Sequence, residues 1–425
     1  MEMKNIFKFV LVALIVWPGF TYSQSVNARF STSFYTWERH LSETQSQSHF
    51  RIYQTAQLTL GQLANNKLSF HFNGLASQDI AEDADQDPIP RVYSAYFQWH
   101  ERKGILRKVR VGRQRIYSGV VYGSIDGVDV ALRAGKKFTF GGFVGFLVPV
   151  VNEVAITTWD EAHAFGFRAG AKNLLGTKVL LSFIKRDRRP VAYSSPGRYT
   201  QKIIRTENRE QTLAGVDLYR SLTKWVSAYG RLDFDVEQQH VRKGQVELKF
   251  RATDRLDISA DFLHRAPFID ANSIFSVFNQ KNTQDYGFRV NYRVNQTWFV
   301  NGNFGFINYD GDETVRFGVG VRNKYGSFGY NFRRGYGGEN NGVYVAANYP
   351  LTDKLGLTAS SGFARYGLFN ENSDKSTSFT GSLGVNYRPT KYFSLDIIGQ
   401  GAHNKFFNND FRIFVKANYW AFKIH

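Results

Sequence analysis

Apolar and polar residues alternate along much of the chain with a period of two. The clearest stretch runs from Tyr286 to Arg333. Its intervening positions are mostly polar or glycine, and its apolar positions are Tyr286, Phe288, Val290, Tyr292, Val294, Val315, Phe317, Val319, Val321, Phe328, Tyr330 and Phe332. A period of two places alternate side chains on opposite faces of a β-strand. The pattern fits either a soluble sandwich or a transmembrane barrel whose apolar face meets lipid.

Strand candidates follow one another from Arg29 to the end of the chain, and no later stretch has a helical period. They number about 22, in an even number between about 18 and 24. Short connections such as Gly135–Lys137 and Thr253–Arg255 alternate with longer ones such as Ile116–Ile125 and His264–Asp285. Short periplasmic turns and long external loops are typical of membrane barrels, whereas a sandwich has no reason to sort its loops in this way. We therefore predict an all-β fold, a transmembrane antiparallel up-and-down β-barrel with both termini on the periplasmic side.

The first residues have the pattern of a secretory signal peptide. Lys4 and Lys8 precede the apolar run Phe9–Phe20, and small residues follow at Thr21 and Ser23. The run is shorter than the roughly 20 residues of a membrane-spanning helix. We predict a signal peptide at 1–23 that is cleaved and a barrel domain at 24–425. The alternative is a buried N-terminal helix. Export without a spanning helix, together with the strand pattern, predicts the outer membrane of a Gram-negative cell.

The amino-acid composition limits the kinds of chemical site that the chain can form. The 425 residues include 54 Lys+Arg and 36 Asp+Glu, giving a net charge of +18, and no cysteine. The mean hydropathy of −0.36 is that of a soluble protein, but lumen residues dilute every strand of a barrel and weaken this signal. The lack of cysteine excludes disulfides and thiolate metal sites. The nine histidines have no metal-ligand spacing, and we predict no metal, no cofactor and no nucleic acid partner.

If the polar face of each strand points inward, arginine dominates the lumen. A barrel of this size is too wide to be filled by its own wall side chains, so it contains a channel unless a loop plugs it. Arginine in a pore wall attracts anions and donates paired hydrogen bonds to carboxylate or phosphate. The predicted pore-lining residues are Arg110, Arg133, Arg168, Arg231, Arg251, Arg289, Arg293, Arg316, Arg322 and Arg333.

The sequence supports two interpretations of these arginines. In the first, they face passing solutes and make the channel prefer small anionic hydrophilic molecules. In the second, they pair with acidic residues on the same faces, such as Asp233 and Glu247, and only hold the wall rigid. The basic stretch Asp187–Glu210 is predicted to contact lipopolysaccharide phosphates, to fold inward as a constriction or to remain a mobile external loop.

One segment resembles a known family. Val109–Gln114 contains Gly112-Arg113-Gln114, and Asp126-Gly127-Val128 follows. This resembles the Gly-Arg-Gln…Asp-Gly-Val pattern of alginate-export-type outer-membrane porins. The resemblance implies an arginine-lined barrel that exports an anionic polysaccharide. It lies within Val109–Val128, and the rest of the chain is similar only in general barrel character.

Other classes of outer-membrane barrel fit the sequence less well or equally well. A structural or secretion-complex barrel without free conductance stays open. A TonB-dependent transporter needs an N-terminal plug, whereas strand candidates here begin near Arg29, which argues against it. We predict that the protein is not an enzyme, because the serine-hydrolase and zinc-protease motifs are missing. The less favoured alternative is an outer-membrane hydrolase that uses His264 with Asp270 or His403 with Asn404.

Overall fold

The computed structural model describes eleven stretches of the chain. The predicted signal peptide, residues 1–23, lies outside the described residues. The described residues contain strands and turns but no helix, and so no helix of the length and apolarity needed to cross a bilayer. The stretches are residues 25–40, 46–81, 87–101, 103–149, 153–189, 193–196, 201–204, 210–267, 281–367, 375–405 and 410–423.

Long β-strands account for most of the described residues. The strands are β1 Ser25–His40, β2 Ser46–Leu63, β3 Leu68–Asp79, β4 Ile89–His100, β5 Leu106–Ser118, β6 Val121–Ala134, β7 Phe138–Leu147, β8 Ala162–Leu174, β9 Thr177–Arg188, β10 Tyr193–Pro196, β11 Gln201–Ile204, β12 Gln211–Ser221, β13 Val226–Asp235, β14 His240–Thr253, β15 Leu256–Arg265, β16 Thr283–Arg293, β17 Phe299–Tyr309, β18 Asp312–Arg322, β19 Gly326–Gly335, β20 Glu339–Pro350, β21 Leu355–Gly367, β22 Ser376–Thr390, β23 Phe393–His403 and β24 Asp410–Lys423.

Twenty-two of these strands form one closed antiparallel sheet. Each strand pairs with its neighbours in the chain, except that β9 pairs with β12 and the short hairpin β10–β11 stands apart. The barrel closes where β1 pairs with β24, from Val26 opposite Lys423 to Tyr35 opposite Phe414. Closure leaves no sheet edge unpaired, which lipid requires. The predicted fold class and the predicted strand number are confirmed.

Most barrel strands present an apolar face outward and a mostly polar face inward. In β16 and its neighbour β17, Phe288 and Phe304 lie opposite each other on the outer face, with 44% and 49% of each residue exposed. The adjacent Arg289 and Asn303 form the next rung, on the inner face. Large exposed apolar side chains surround a membrane barrel because lipid covers them.

Aromatic side chains gather at the barrel end that carries the short turns. Trp225, Trp298, Tyr325, Tyr349 and Tyr392 are all at least two-fifths exposed there. Three lysines lie over neighbouring rings, with distances from Nζ to the ring centroid of 4.9 Å for Lys224–Trp225, 4.6 Å for Lys324–Tyr325 and 4.9 Å for Lys391–Tyr392. Such rings with a charged neighbour suit the boundary between lipid and water.

A charge placed on the lipid face should destabilise the barrel. Phe288 lies at the middle of β16, so Phe288→Arg is expected to cost about 2–4 kcal/mol of unfolding free energy. Guanidinium unfolding in phospholipid vesicles measures this loss. The matched control is Asn291→Arg on the inner face of the same strand, which should change stability by less than about 1 kcal/mol. Equal losses in both variants would contradict the assignment of the two faces.

Candidate functional site in the barrel lumen

The hairpin formed by β5 and β6 leaves the barrel wall. Pairing of β4 with β5 ends at Ala95–Arg113, and pairing of β6 with β7 ends at Ile125–Leu147. Within the described part of the chain, residues 114–124 therefore pair with no strand other than each other, and we call them the inner hairpin. Its base contains Gly112, whose φ of +121° and whose close approach to the Ala95 carbonyl leave no room for a Cβ.

The inner hairpin corrects the sequence analysis, which predicted a long loop at Ile116–Ile125. Only Gly119 and Val120 separate the two strands. The hairpin packs its apolar side chains against the inside of the wall instead of extending outward. The buried cluster joins Ile116, Val120, Val121 and Ile125 of the hairpin and its base to Phe143, Leu147, Ala162, Ala164, Ile184 and Leu213 of β7, β8, β9 and β12.

Polar contacts fasten the hairpin tip to more distant strands. The Val120 amide donates to Ser182 Oγ of β9 at 3.0 Å. Arg231 of β13 donates to the Gly119 carbonyl at 3.0 Å. Arg186 of β9 donates to the Tyr122 hydroxyl at 2.8 Å and lies over its ring. The hairpin therefore lies along the inner wall from β7 to β13 and narrows the lumen without spanning it as a separate plug.

The segment that resembles the alginate-export pattern forms the base of this hairpin. Arg113 is 4% exposed and binds Asp126 through two hydrogen bonds of 2.8 Å. It also donates to the carbonyls of Glu153 and Ala155 in the connection between β7 and β8. Gln114 is fully buried and donates to the Arg110 and Gly127 carbonyls. These residues hold the hairpin and the covering loop together, which is a structural role.

A buried carboxylate organises the inner wall beside the hairpin base. Asp129 of β6 is fully buried and pairs with three cations. Arg110 of β5 lies 2.8 Å from it, Lys108 lies 3.4 Å from it, and Arg168 of β8 also binds it. Arg168 reaches Asp129 across β7 because Gly141 lies between them, and a Cβ there would come within 2.6 Å of the Arg168 Nε.

Four further predicted pore-lining arginines also pair with carboxylates. Arg316 of β18 reaches Asp285 of β16 across β17, as Arg168 reaches Asp129 across β7. It passes over Gly305, where a Cβ would collide with the guanidinium. Arg251 and Asp257 are the most exposed pair. The pairs and their distances are Arg231–Asp233 2.8 Å, Arg251–Asp257 3.5 Å, Arg289–Asp261 2.7 Å and Arg316–Asp285 2.8 Å.

The remaining four predicted arginines are held differently. Arg133, Arg293 and Arg333 donate to the carbonyls of Gly135 at 3.1 Å, Asp254 at 2.6 Å and Tyr336 at 3.3 Å. Arg322 lies over the Phe299 ring, 4.9 Å from its centroid. Within the described parts of the chain none of these four pairs with a carboxylate. Their positive charge is therefore not cancelled locally, although contact of any of the ten with a solute stays a prediction.

The structure describes three of the four residues of the hydrolase alternative, with His403 at the end of β23 and Asn404 directly after it. His264 lies in β15 opposite Gly244 and Gln284, and Asp270 lies outside the described residues. Among the residues described, no group of His, Asp and Glu side chains is arranged to hold a metal ion. Of the basic stretch Asp187–Glu210, the structure describes the backbone hairpin β10–β11 and the residues at its two ends.

The closed sheet, its apolar outer face and its polar interior define an outer-membrane β-barrel. The family model "TonB dependent receptor-like, beta-barrel" matches residues 156–402, more than half of the chain, and the protein belongs to this family. The match lies within the barrel and does not test the argument against a plugged transporter. It does not support membership of the alginate-export-type porins. No curated protein sequence matches the chain.

The fold is shared with a solved structure of a receptor, and two solved porins are also similar to the chain. A mutant of PfeA, the ferric enterobactin receptor of Pseudomonas aeruginosa, is 9% identical, with 93% of this chain and 80% of that chain covered and a TM-score of 0.55. OccAB4 of Acinetobacter baumannii is 11% identical over 96% and 100%, with a TM-score of 0.45. A BenF-like porin from Pseudomonas fluorescens is 10% identical over 94% and 99%, with a TM-score of 0.44.

Proposed function

We propose that the protein is an outer-membrane channel through which small hydrophilic solutes diffuse, with a preference for anions. The main support for this proposal is the size of the barrel wall. Twenty-two strands enclose a lumen too wide for wall side chains to fill, and the inner hairpin lies along the wall. The arginines without carboxylate partners support the anion preference, because their field acts on ions in the pore.

Planar bilayers test the channel directly. Purified full-length protein should insert as discrete conductance steps, and the reversal potential in a potassium chloride gradient should indicate more permeant chloride than potassium. A protein that is folded but silent in bilayers would contradict the channel. A potassium preference would contradict only the anion selectivity.

A second function is favoured by the family match. Twenty-two-stranded outer-membrane transporters hold a plug in their lumen, so a receptor-like barrel need not conduct freely. Silent bilayers, together with specific uptake of a solute by cells that carry the protein, would support this transporter instead of a diffusion channel.

The uncompensated arginines should set the selectivity. Arg293 of β16 and Arg322 of β18 lie on either side of Phe299 at the short-turn end. Replacing both with glutamine should reduce the chloride-to-potassium permeability ratio to roughly half, because at physiological ionic strength the field of each charge reaches about 8 Å into the lumen. Reversal potentials measure the change. The control is Arg220→Gln at the short-turn end of β12, two residues from the exposed Leu218 and therefore on the outer face.

A charge-neutral double variant separates the two interpretations of the arginines. Arg289→Gln combined with Asp261→Asn removes one ion pair and leaves the net charge unchanged. If such pairs only hold the wall, this variant should keep the native reversal potential and lose stability. A shift as large as that of the Arg293 and Arg322 replacements would instead mean that the paired arginines also meet passing ions.

A further inference from the structure

A polar cavity of about 500 Å³ lies on the inner wall where the barrel closes. Its floor consists of rungs of directly opposed residues that cross five neighbouring strands, β24, β1, β2, β3 and β4. One rung runs through Trp420, Arg29, Gln57, Asn73 and Ser94. The next rung, two residues away along each strand, lies on the same face. The cavity is near the short-turn end and is separate from the inner hairpin.

Arg29 gives the cavity an uncompensated positive charge. Its guanidinium donates to Asn418 Oδ1 at 2.9 Å, and Ser31 donates to the same oxygen at 2.7 Å. Asn418 is 3% exposed, so a buried side chain holds the guanidinium in place. The described residues that line the cavity include no carboxylate, which leaves the positive charge of Arg29 for an anionic ligand.

The other side chains of the floor suit hydroxyl groups. Gln57 and Asn73 lie beside Arg29 on its rung, and Thr59 and Asn27 lie on the next. Amides and hydroxyls both donate and accept hydrogen bonds, so they satisfy the two roles of a ligand hydroxyl. Opposed side chains on a sheet lie about 5 Å apart, so a short hydroxylated carbon chain reaches several of them while its end remains on Arg29.

We propose that this cavity binds a hydroxylated carboxylate, with the carboxylate on Arg29 and the hydroxyl groups on the amides of Gln57 and Asn73. The proposal deepens the proposed function and rests on it, because the ligand would be one of the solutes that the channel carries. Binding itself does not require conductance, so the two can be tested apart.

Calorimetric titration of the full chain in detergent, with gluconate as the probe, tests the site. Gluconate should bind, while glucose, which lacks the carboxylate, and acetate, which lacks the hydroxyls, should bind at least tenfold more weakly. Arg29→Gln should weaken gluconate binding at least tenfold, and Arg29→Lys should weaken it less because the charge remains. Asn73→Ala keeps the charge and should weaken gluconate binding severalfold without affecting acetate. Arg220→Gln should bind as the native chain does.

Several outcomes would overturn the proposal. They are glucose binding as tightly as gluconate, equal losses in Arg29→Gln and Arg220→Gln, or no binding of gluconate by folded protein. Heat-dependent gel mobility verifies that each variant is folded. Gluconate binding by a protein that is silent in bilayers would reject the channel and keep the site. Conductance without gluconate binding would reject the site and keep the channel.

Discussion

An Asp129→Asn variant is expected to lose about 3–5 kcal/mol of unfolding free energy, the usual cost of removing one partner from a buried ion pair. Asp129 is fully buried, and Lys108, Arg110 and Arg168 all bind its carboxylate. Asparagine removes the negative charge and leaves three cations close together, with only a neutral amide between them. Urea unfolding of the barrel in phospholipid vesicles measures the loss, and a lower temperature for the heat-dependent gel shift should accompany it.

The matched control is Asp257→Asn, which breaks an exposed pair. Asp257 lies 3.5 Å from Arg251, and their side chains are 37% and 56% exposed. Exposed pairs contribute less than about 1 kcal/mol because water screens them. If Asp129→Asn proved as stable as Asp257→Asn, water in the lumen would be screening the Asp129 cluster, and this part of the wall would not be held by charge.

The wall of the barrel was predictable because lipid favours apolar side chains on one face of each strand and water favours polar side chains on the other. In Tyr286–Arg333 the alternation alone identified which side chains share a face, and the structure places Phe288 and Arg289 on opposite faces of β16. A one-residue shift would have reversed every side chain, so the pattern fixes parity strongly. Each run of alternation indicates one strand but does not mark its ends. The strand count was therefore correct although individual strand ends were not.

The inner hairpin was not predictable from alternation. Parity states which side chains point inward, but it does not state what covers them. Ile116, Val120 and Val121 read as part of a loop, since a membrane barrel was expected to extend its connections outward. A signal was present in the wall, where Phe143 and Ile184 are apolar although they point inward. Apolar residues on a wet face indicate a covering element.

The pairing of the arginines required the fold as well. Arg316 and Asp285 lie on strands that are not neighbours, and Arg168 and Asp129 are likewise two strands apart. Contact depends on the glycine that each arginine crosses, at Gly305 and Gly141. The sequence lists both charges and both glycines, but only the register of the sheet brings them together.

A cysteine introduced at Tyr117 should make the channel sensitive to thiol reagents. Tyr117 is 82% exposed on the inner hairpin, and the chain has no other cysteine to react. Attaching a negatively charged sulfonatoethyl group there is expected to reduce single-channel conductance by roughly half and to reduce the chloride preference, because bulk and charge are added where the lumen is narrowed. A positively charged reagent of similar size should reduce conductance but keep the chloride preference.

The control for this experiment is Phe304→Cys, which places the thiol on the lipid face of β17, where the native side chain is 49% exposed. A water-soluble reagent should leave its conductance unchanged, since lipid covers that face. The experiment also gives a result if the protein does not conduct. The rate at which an impermeant reagent labels Tyr117→Cys reports how exposed this position is, even when bilayers are silent. Rapid labelling without any change in current would mean that ions pass away from the hairpin. Slow labelling would mean that the hairpin face is itself covered and that the lumen is closed, as a plugged transporter requires.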